Sequence, residues 1–158
     1  MRDDEATMRL LRQAGPFRTL GEIELRSLCY LMKDAVVEDG GELFAEGDAA
    51  EQAFVVVAGA VDIVSRAPDG SLRVRRTLGP GELFGELALF TGGAGGRRLA
   101  GAVARGTTRL GVLGYEPFLA LVRAHPAVAL ALLRMQAERF LAVELEYRGL
   151  RDEQGGGG

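Results

Sequence analysis

The sequence predicts a mainly β domain, a β-sandwich or jelly roll, with helices at both ends. Three observations carry this. Between Ala35 and Gly114, short runs of Val, Phe, Leu and Ile are separated by turn signals at Asp39-Gly40-Gly41, Glu46-Gly47-Asp48, Gly59, Pro68-Asp69-Gly70 and Gly79-Pro80-Gly81. Glycine accounts for 23 of 158 residues, about twice its ordinary share, and punctuates that stretch at short intervals. Apolar residues at helical spacing occur before and after it instead.

The first helix spans 5–14, with Met8, Leu11 and Leu10 towards one face, and Gly15-Pro16 stops it. Thr19-Leu-Gly-Glu22 has the pattern of a capping box, in which the Thr19 hydroxyl accepts from the Glu22 amide and the carboxylate reaches back. Ile23, Leu25, Leu28, Leu31 and Met32 follow at helical spacing, so the helical opening covers 1–34. Strands are predicted at 35–38, 42–45, 53–58, 60–66, 72–78, 100–105 and 107–113, with Pro68-Asp69-Gly70 as a hairpin tip. The tetrad Gly-Glu-Leu-Phe occurs at 41–44 and again at 81–84. The first copy continues into a turn; the second runs into Leu87-Ala88-Leu89-Phe90, which reads as one helical turn.

The β region ends at Gly114. Glu116-Pro117 suits the first turn of a helix carrying Phe118, Leu119, Leu121 and Val122. His125-Pro126 breaks it, and a long helix follows from about Ala127 to Arg151. Leu130, Leu133, Ala137, Phe140 and Tyr147 lie on one side of that helix, with Val128, Leu132, Met135, Leu141 and Leu145 around them. More than one apolar stripe implies packing on a second surface as well as on the domain, most simply the same helix of another copy through 127–150. The alternative is one wide stripe facing the core. The hinge and long helix thus occupy 115–151, and 152–158, ending in four glycines, reads as a flexible tail.

Composition limits the function. A mass of 16.8 kDa fits one domain with little beyond a helical extension. Lys plus Arg is 19 against 22 for Asp plus Glu, a formal charge of −3, which argues against a dedicated nucleic-acid surface. Cys29 is the single cysteine and His125 the single histidine. An internal disulfide, a cysteine-rich zinc site and a multi-histidine metal centre are therefore excluded. His125 lies between apolar helical stretches with no candidate nucleophile beside it, so it reads as a structural residue and no catalytic role is expected. The acidic start gives no sign of a signal peptide, and no apolar run approaches a membrane span. A cytoplasmic protein without membrane contact is expected.

The densest chemistry lies between Gly79 and Val103. A strand gives way at Gly85 to a short helix, where glycine lets a ligand approach the backbone closely. Glu86, acceptor-only when ionised, suits a sugar hydroxyl. Arg97 and Arg98, beyond the glycine-rich Thr91–Gly96 loop, offer a guanidinium fork for phosphate. Together these describe a sugar-phosphate pocket; a buried Glu86–Arg98 ion pair without ligand is the competing account.

Phe84-Gly85-Glu86-Leu87-Ala88-Leu89, followed by Arg98-Leu99-Ala100, resembles the phosphate-binding cassette of the cyclic nucleotide-binding domain family. That family includes the catabolite activator proteins, the regulatory subunits of cAMP-dependent kinase and cyclic nucleotide-gated channels. Leu10-Leu-Arg-Gln…Pro16-Phe…Leu20…Glu24-Leu-Arg-Ser-Leu28 is similar to its N-terminal helices. Gly41–Asp48 and Phe54–Val64 are similar to its early strands, and the resemblance spans about residues 8–150. It implies a jelly roll with the cassette at 84–100, holding cAMP or cGMP as ligand with no cofactor. Glu86 would accept from the ribose 2′-hydroxyl and Arg98 would pair with the cyclic phosphate. Phe84, Gly85, Leu87 and Ala88 would line the site, with Leu99 and Ala100 beyond. Arg97 is the rival for the phosphate; Arg98 is preferred because Arg98-Leu99-Ala100 restores the family's arginine-x-alanine spacing. Leu99 stands where Ser or Thr commonly supports cGMP, which favours cAMP. The long helix would cover the purine near Val143, Glu144 and Tyr147. It would thereby transmit occupancy to an effector that the sequence does not identify. The family's bacterial transcription factors carry a helix-turn-helix module after this helix; the chain ends without one, so no direct DNA binding is expected. A member that keeps the fold and the dimer helix but has lost the nucleotide is the alternative.

Overall fold

Two long antiparallel strands, β3 (Gln52–Arg66) and β6 (Gly101–Gly114), organise the computed structural model, which describes residues 4–13, 15–91 and 96–155. They pair from Gln52 opposite Gly114 to Val64 opposite Gly101. Each was expected as two strands, broken at Gly59 and at Gly106. Both glycines have left-handed backbones, φ +85° and +69°, and the register shifts on either side of Ala58. They bend continuous strands and do not end them. At Gly59 a Cβ would stand 2.6 Å from the Thr107 carbonyl oxygen. The buried Thr108 hydroxyl locks the bend by donating to the Ala60 carbonyl at 2.9 Å.

Shorter strands flank the halves of this pair. β1 (Lys33–Val37) lies along residues 108–112 of β6, and β2 (Glu42–Phe44) lies along its start. β4 (Leu72–Leu78) pairs with 61–66 of β3 through the predicted hairpin, and β5 (Leu83–Phe84) pairs with Val55 and Phe54. The result is the antiparallel β roll with flanking helices that the sequence predicts. Its interior packs Phe54, Val56, Val61, Leu78, Phe84 and Leu110.

A second core joins the two ends of the chain. α1 (Asp4–Gln13), the 3₁₀ turn Pro16–Thr19 and α2 (Glu22–Leu31) bury Met8, Leu11, Phe17, Leu25 and Leu28. Against them sit Phe118 and Leu121 of α4 (Tyr115–Ala124) and Val128 and Leu132 of α5 (Pro126–Gly155). Each such side chain contributes about 1.5–3 kcal/mol on burial, so the terminal helices are integral to the domain.

Three expectations change. The capping box does not form: Thr19 closes the 3₁₀ turn, Gly21 is the N-cap of α2, and Glu22 pairs with Arg26 at 2.9 Å. Ile23, expected among the helix's apolar residues, is exposed. The long helix continues through Asp152–Gly155, where a tail was expected. Ala14, Gly92–Gly95 of the glycine-rich loop and Gly156–Gly158 lie outside the described residues. His125 caps α4 at a 114° bend into α5, and its Nε2 lies 3.3 Å from the Ser27 hydroxyl.

Candidate functional site

The site begins where β5 stops. Phe84 belongs to an aromatic cluster with Phe54 and Phe44, at ring separations of 5.2 and 6.3 Å. Gly85 then turns the chain with φ +68°, and Glu86 caps α3 (Leu87–Phe90), the predicted helical turn. Gly85 is required on two counts. Its backbone is left-handed, and a Cβ there would meet Nη1 of Arg98 at 2.6 Å.

Arg98 reaches this turn from the far side of the loop. Its backbone is fixed to 47–48: its amide donates to the Asp48 carbonyl and its carbonyl accepts from the Gly47 amide, both at 2.8 Å. The guanidinium lies 4.1 Å from the centre of the Phe44 ring. Nη2 donates to the Gln52 carbonyl at 2.8 Å and Nη1 to the Gly85 carbonyl at 3.3 Å. Nε is buried and has no hydrogen-bond partner among the described residues. Burial pushes the Arg98 pKa below its ordinary value, while the Asp48 carboxylate opposes this. A desolvated cation with an unused donor is what a bound anion would complete.

Glu86 is only 5% exposed but does not pair with Arg98, which removes the ligand-free ion pair as an account of the two residues. Its Oε1 accepts from Gln136 Nε2 at 2.8 Å and from Arg139 Nη1, both on α5. No bond to Oε2 occurs among the described residues. One carboxylate oxygen is therefore committed to the long helix, and the other is uncommitted.

A cavity of about 340 Å³ collects these groups, within the range of small-ligand sites. Phe84, Gly85, Glu86, Leu87, Ala88, Arg97, Arg98, Leu99 and Ala100 all line it, so the structure brings the predicted cassette together. Arg98 lies within; Arg97 is exposed, bridging Ala49, and Leu99 is 77% exposed. The predicted lid is not brought in. Val143, Glu144 and Tyr147 do not line the cavity, and Val143 and Tyr147 are more than half exposed. The α5 residue that lines it is Arg139, one turn earlier than the predicted lid, with Gln136 beside it on Glu86. The sequence carried a signal for both. Val128, Leu132, Gln136 and Arg139 follow at spacings of four, four and three, so they continue the buried face of the helix as it turns polar.

Among the described residues no group of His, Cys, Asp and Glu is placed to hold a metal ion, and no single helix is long and apolar enough to cross a membrane.

The family model for the cyclic nucleotide-binding domain matches residues 35–125. The chain is 36% identical over 125 residues to the cyclic AMP receptor protein of Thermus thermophilus, covering 79% of this chain and 56% of that one. The crystal structure of the Thermus thermophilus catabolite activator protein superposes with a TM-score of 0.80 at 33% identity, over 87% of this chain and 63% of that one. The regulatory domain of Toxoplasma gondii PKA, crystallised with cAMP, superposes with a TM-score of 0.67 at 31% identity, over 77% and 46%. The chain thus spans little more than half the length of the curated Thermus relative.

Proposed function

Because the chain belongs to the cyclic nucleotide-binding domain family, we propose that it binds a cyclic purine nucleotide, cAMP in the first instance, and acts as a regulatory sensor without catalysing a reaction. The observation that carries this reading is Arg98, a buried arginine that lines the cavity and whose Nε has no hydrogen-bond partner among the described residues. The cyclic phosphate would take Arg98 and the backbone at Gly85, Leu87 and Ala88. The ribose 2′-hydroxyl would donate to Oε2 of Glu86, the oxygen that α5 leaves open. The preference for cAMP rests on Leu99 and on relatives named for that ligand.

The same carboxylate would carry the signal. A ligand hydroxyl on Oε2 and the α5 pair on Oε1 share one charge, so occupancy alters the hold on the helix. Leu133, Phe140, Leu141, Leu145 and Tyr147 are all more than half exposed, which supports a homodimer through 127–150 and opposes one wide core-facing stripe. The effector would read the position of α5. The degenerate scaffold would be favoured if Leu99 or the glycine-rich loop occluded the cavity; Leu99, at its rim, is 77% exposed, and Gly92–Gly95 of the loop lie outside the described residues.

Thermal unfolding with cAMP and with cGMP tests this reading, using the chain itself, Arg98→Ala and Arg97→Ala. Ligand at a hundred times its dissociation constant stabilises by about 2.7 kcal/mol, a rise of roughly 5–10 °C at this size. The rise is expected in the parent and in Arg97→Ala and is abolished in Arg98→Ala. No shift with either nucleotide at millimolar concentration would return the scaffold reading.

A further inference from the structure

A second cavity, of about 350 Å³, opens between the 3₁₀ turn Pro16–Thr19 and the middle of α5. Its wall carries Arg18 and Thr19 from the turn, and Arg134, Glu138 and Arg139 from the helix. Three guanidiniums therefore face one carboxylate. Arg18 and Arg134 form no ion pair with any carboxylate among the described residues, Glu138 included. The Thr19 hydroxyl, released from the capping role its sequence suggested, has no hydrogen-bond partner among them either. Arg139 lines this cavity and the Arg98 cavity alike, and among the described residues its one ion pair is with Glu86.

From this arrangement we propose that the cleft between the 3₁₀ turn and α5 is a second anion site, which takes a small phosphate monoester and competes with Glu86 for Arg139. Uncompensated guanidiniums converging from two elements favour a dianion over a monoanion, and their planar forks match phosphate oxygens. The Thr19 hydroxyl adds a rotatable donor. A cyclic phosphodiester carries one charge, so its natural place is the Arg98 pocket; a monoester carries close to two at neutral pH. The cavity size admits a phosphorylated sugar as well as free phosphate. The site stands on its own residues and does not depend on nucleotide binding next door, although the shared Arg139 would couple the two.

Arginine Nε–Hε resonances of the ¹⁵N-labelled chain provide the test, titrated separately with inorganic phosphate, glucose 6-phosphate and sodium chloride at matched ionic strength. Saturable shifts of Arg18, Arg134 and Arg139 are expected with the phosphates and none that saturates with chloride. A stronger response to glucose 6-phosphate than to phosphate would identify an organic monoester as the occupant; the reverse would overturn that part of the assignment. Arg134→Gln, a surface change whose unchanged melting temperature certifies the fold, should weaken the response about tenfold. Arg18→Gln should do the same. Equal shifts with chloride, or undiminished binding in both variants, would overturn the site. Saturable shifts confined to Arg18 and Arg134 would overturn the sharing of Arg139. All of these readouts are taken without nucleotide, so a failure here is distinguishable from a failure of the sensor reading.

Discussion

Replacing Arg139 by alanine should cost this domain more than any other single change on the exposed part of α5. Glu86 is 5% exposed, and its Oε1 accepts from Arg139 and Gln136. Without Arg139 the carboxylate keeps one neutral donor and loses its only ion-pair partner among the described residues. Breaking a fully buried pair costs about 3–5 kcal/mol. Arg139 is itself 40% exposed in its side chain, so water replaces part of the loss and about 2 kcal/mol is the reasonable figure. For a chain of 158 residues that lowers the melting temperature by roughly 4–8 °C. Urea unfolding followed by far-ultraviolet circular dichroism measures it, with Glu86→Gln and the double variant completing a cycle. The pair predicts a double variant less destabilised than the sum of its parts by about 1–2 kcal/mol. Additivity within about 0.5 kcal/mol would refute the reasoning, because it would mean that the two residues act independently.

Other consequences follow from single positions. Gly85→Ala puts a Cβ 2.6 Å from Arg98 Nη1 on a left-handed backbone, so it should abolish the nucleotide-induced rise in melting temperature as well as destabilise by about 1–3 kcal/mol. Gly59→Ala should destabilise clearly more than Gly70→Ala, for both have φ +85° but only Gly59 meets atoms within 4 Å, the nearest at 2.6 Å; equal melting temperatures would contradict this. Burial raises the pKa of Asp62, but hydrogen bonds from Thr77 and Arg105 outweigh it and hold the carboxyl below its ordinary value. A depressed folded pKa contributes stability that is present above the unfolded value near 3.9 and lost as pH falls through the folded one, so Asp62→Asn should flatten the fall in stability below about pH 4. Phe140→Asp with Tyr147→Asp should convert the proposed dimer to monomer in sedimentation velocity while leaving the domain folded, since both side chains are mostly exposed.

What was legible in the sequence was local. Phe84 to Ala88 could be read as one wall of a pocket because a glycine turn and a helix start fix that run locally, whereas Arg98 was legible only as a residue type at a suggestive spacing, its backbone being held by residues 47–48. The strand count was misread at Gly59 and Gly106 for a definite reason. A left-handed glycine looks the same in sequence whether it closes a turn or bends a strand, and only pairing across β3 and β6 decides. The Thr19 capping box failed similarly, because Pro16 commits the preceding residues to a 3₁₀ turn that uses Thr19 first. Glu86 lines the cavity, but its partners lie 50 and 53 residues away on another element. No local pattern specifies that contact. It follows from the angle at which α5 leaves the His125 bend, and that angle is set by the core around Val128 and Leu132.

That angle also gives Arg139 its leverage. A 30-residue helix is about 45 Å long, yet the fully buried residues of α5, Val128, Ala131 and Leu132, all fall in its first two turns. After Arg139 the large apolar side chains Phe140, Leu141, Val143, Leu145, Tyr147 and Leu150 are each more than half exposed. The Glu86 pair is thus, among the described residues, the last side-chain bond from the helix to the roll, and it stands at the base of a long arm that does not pack on its own domain. A contact worth about 2 kcal/mol in that place biases two arm positions by roughly thirtyfold. In the proposed sensor a ligand would not need to push the helix at all: a redistribution of charge on one carboxylate, from Oε1 towards a sugar hydroxyl on Oε2, would itself weaken the hold on α5.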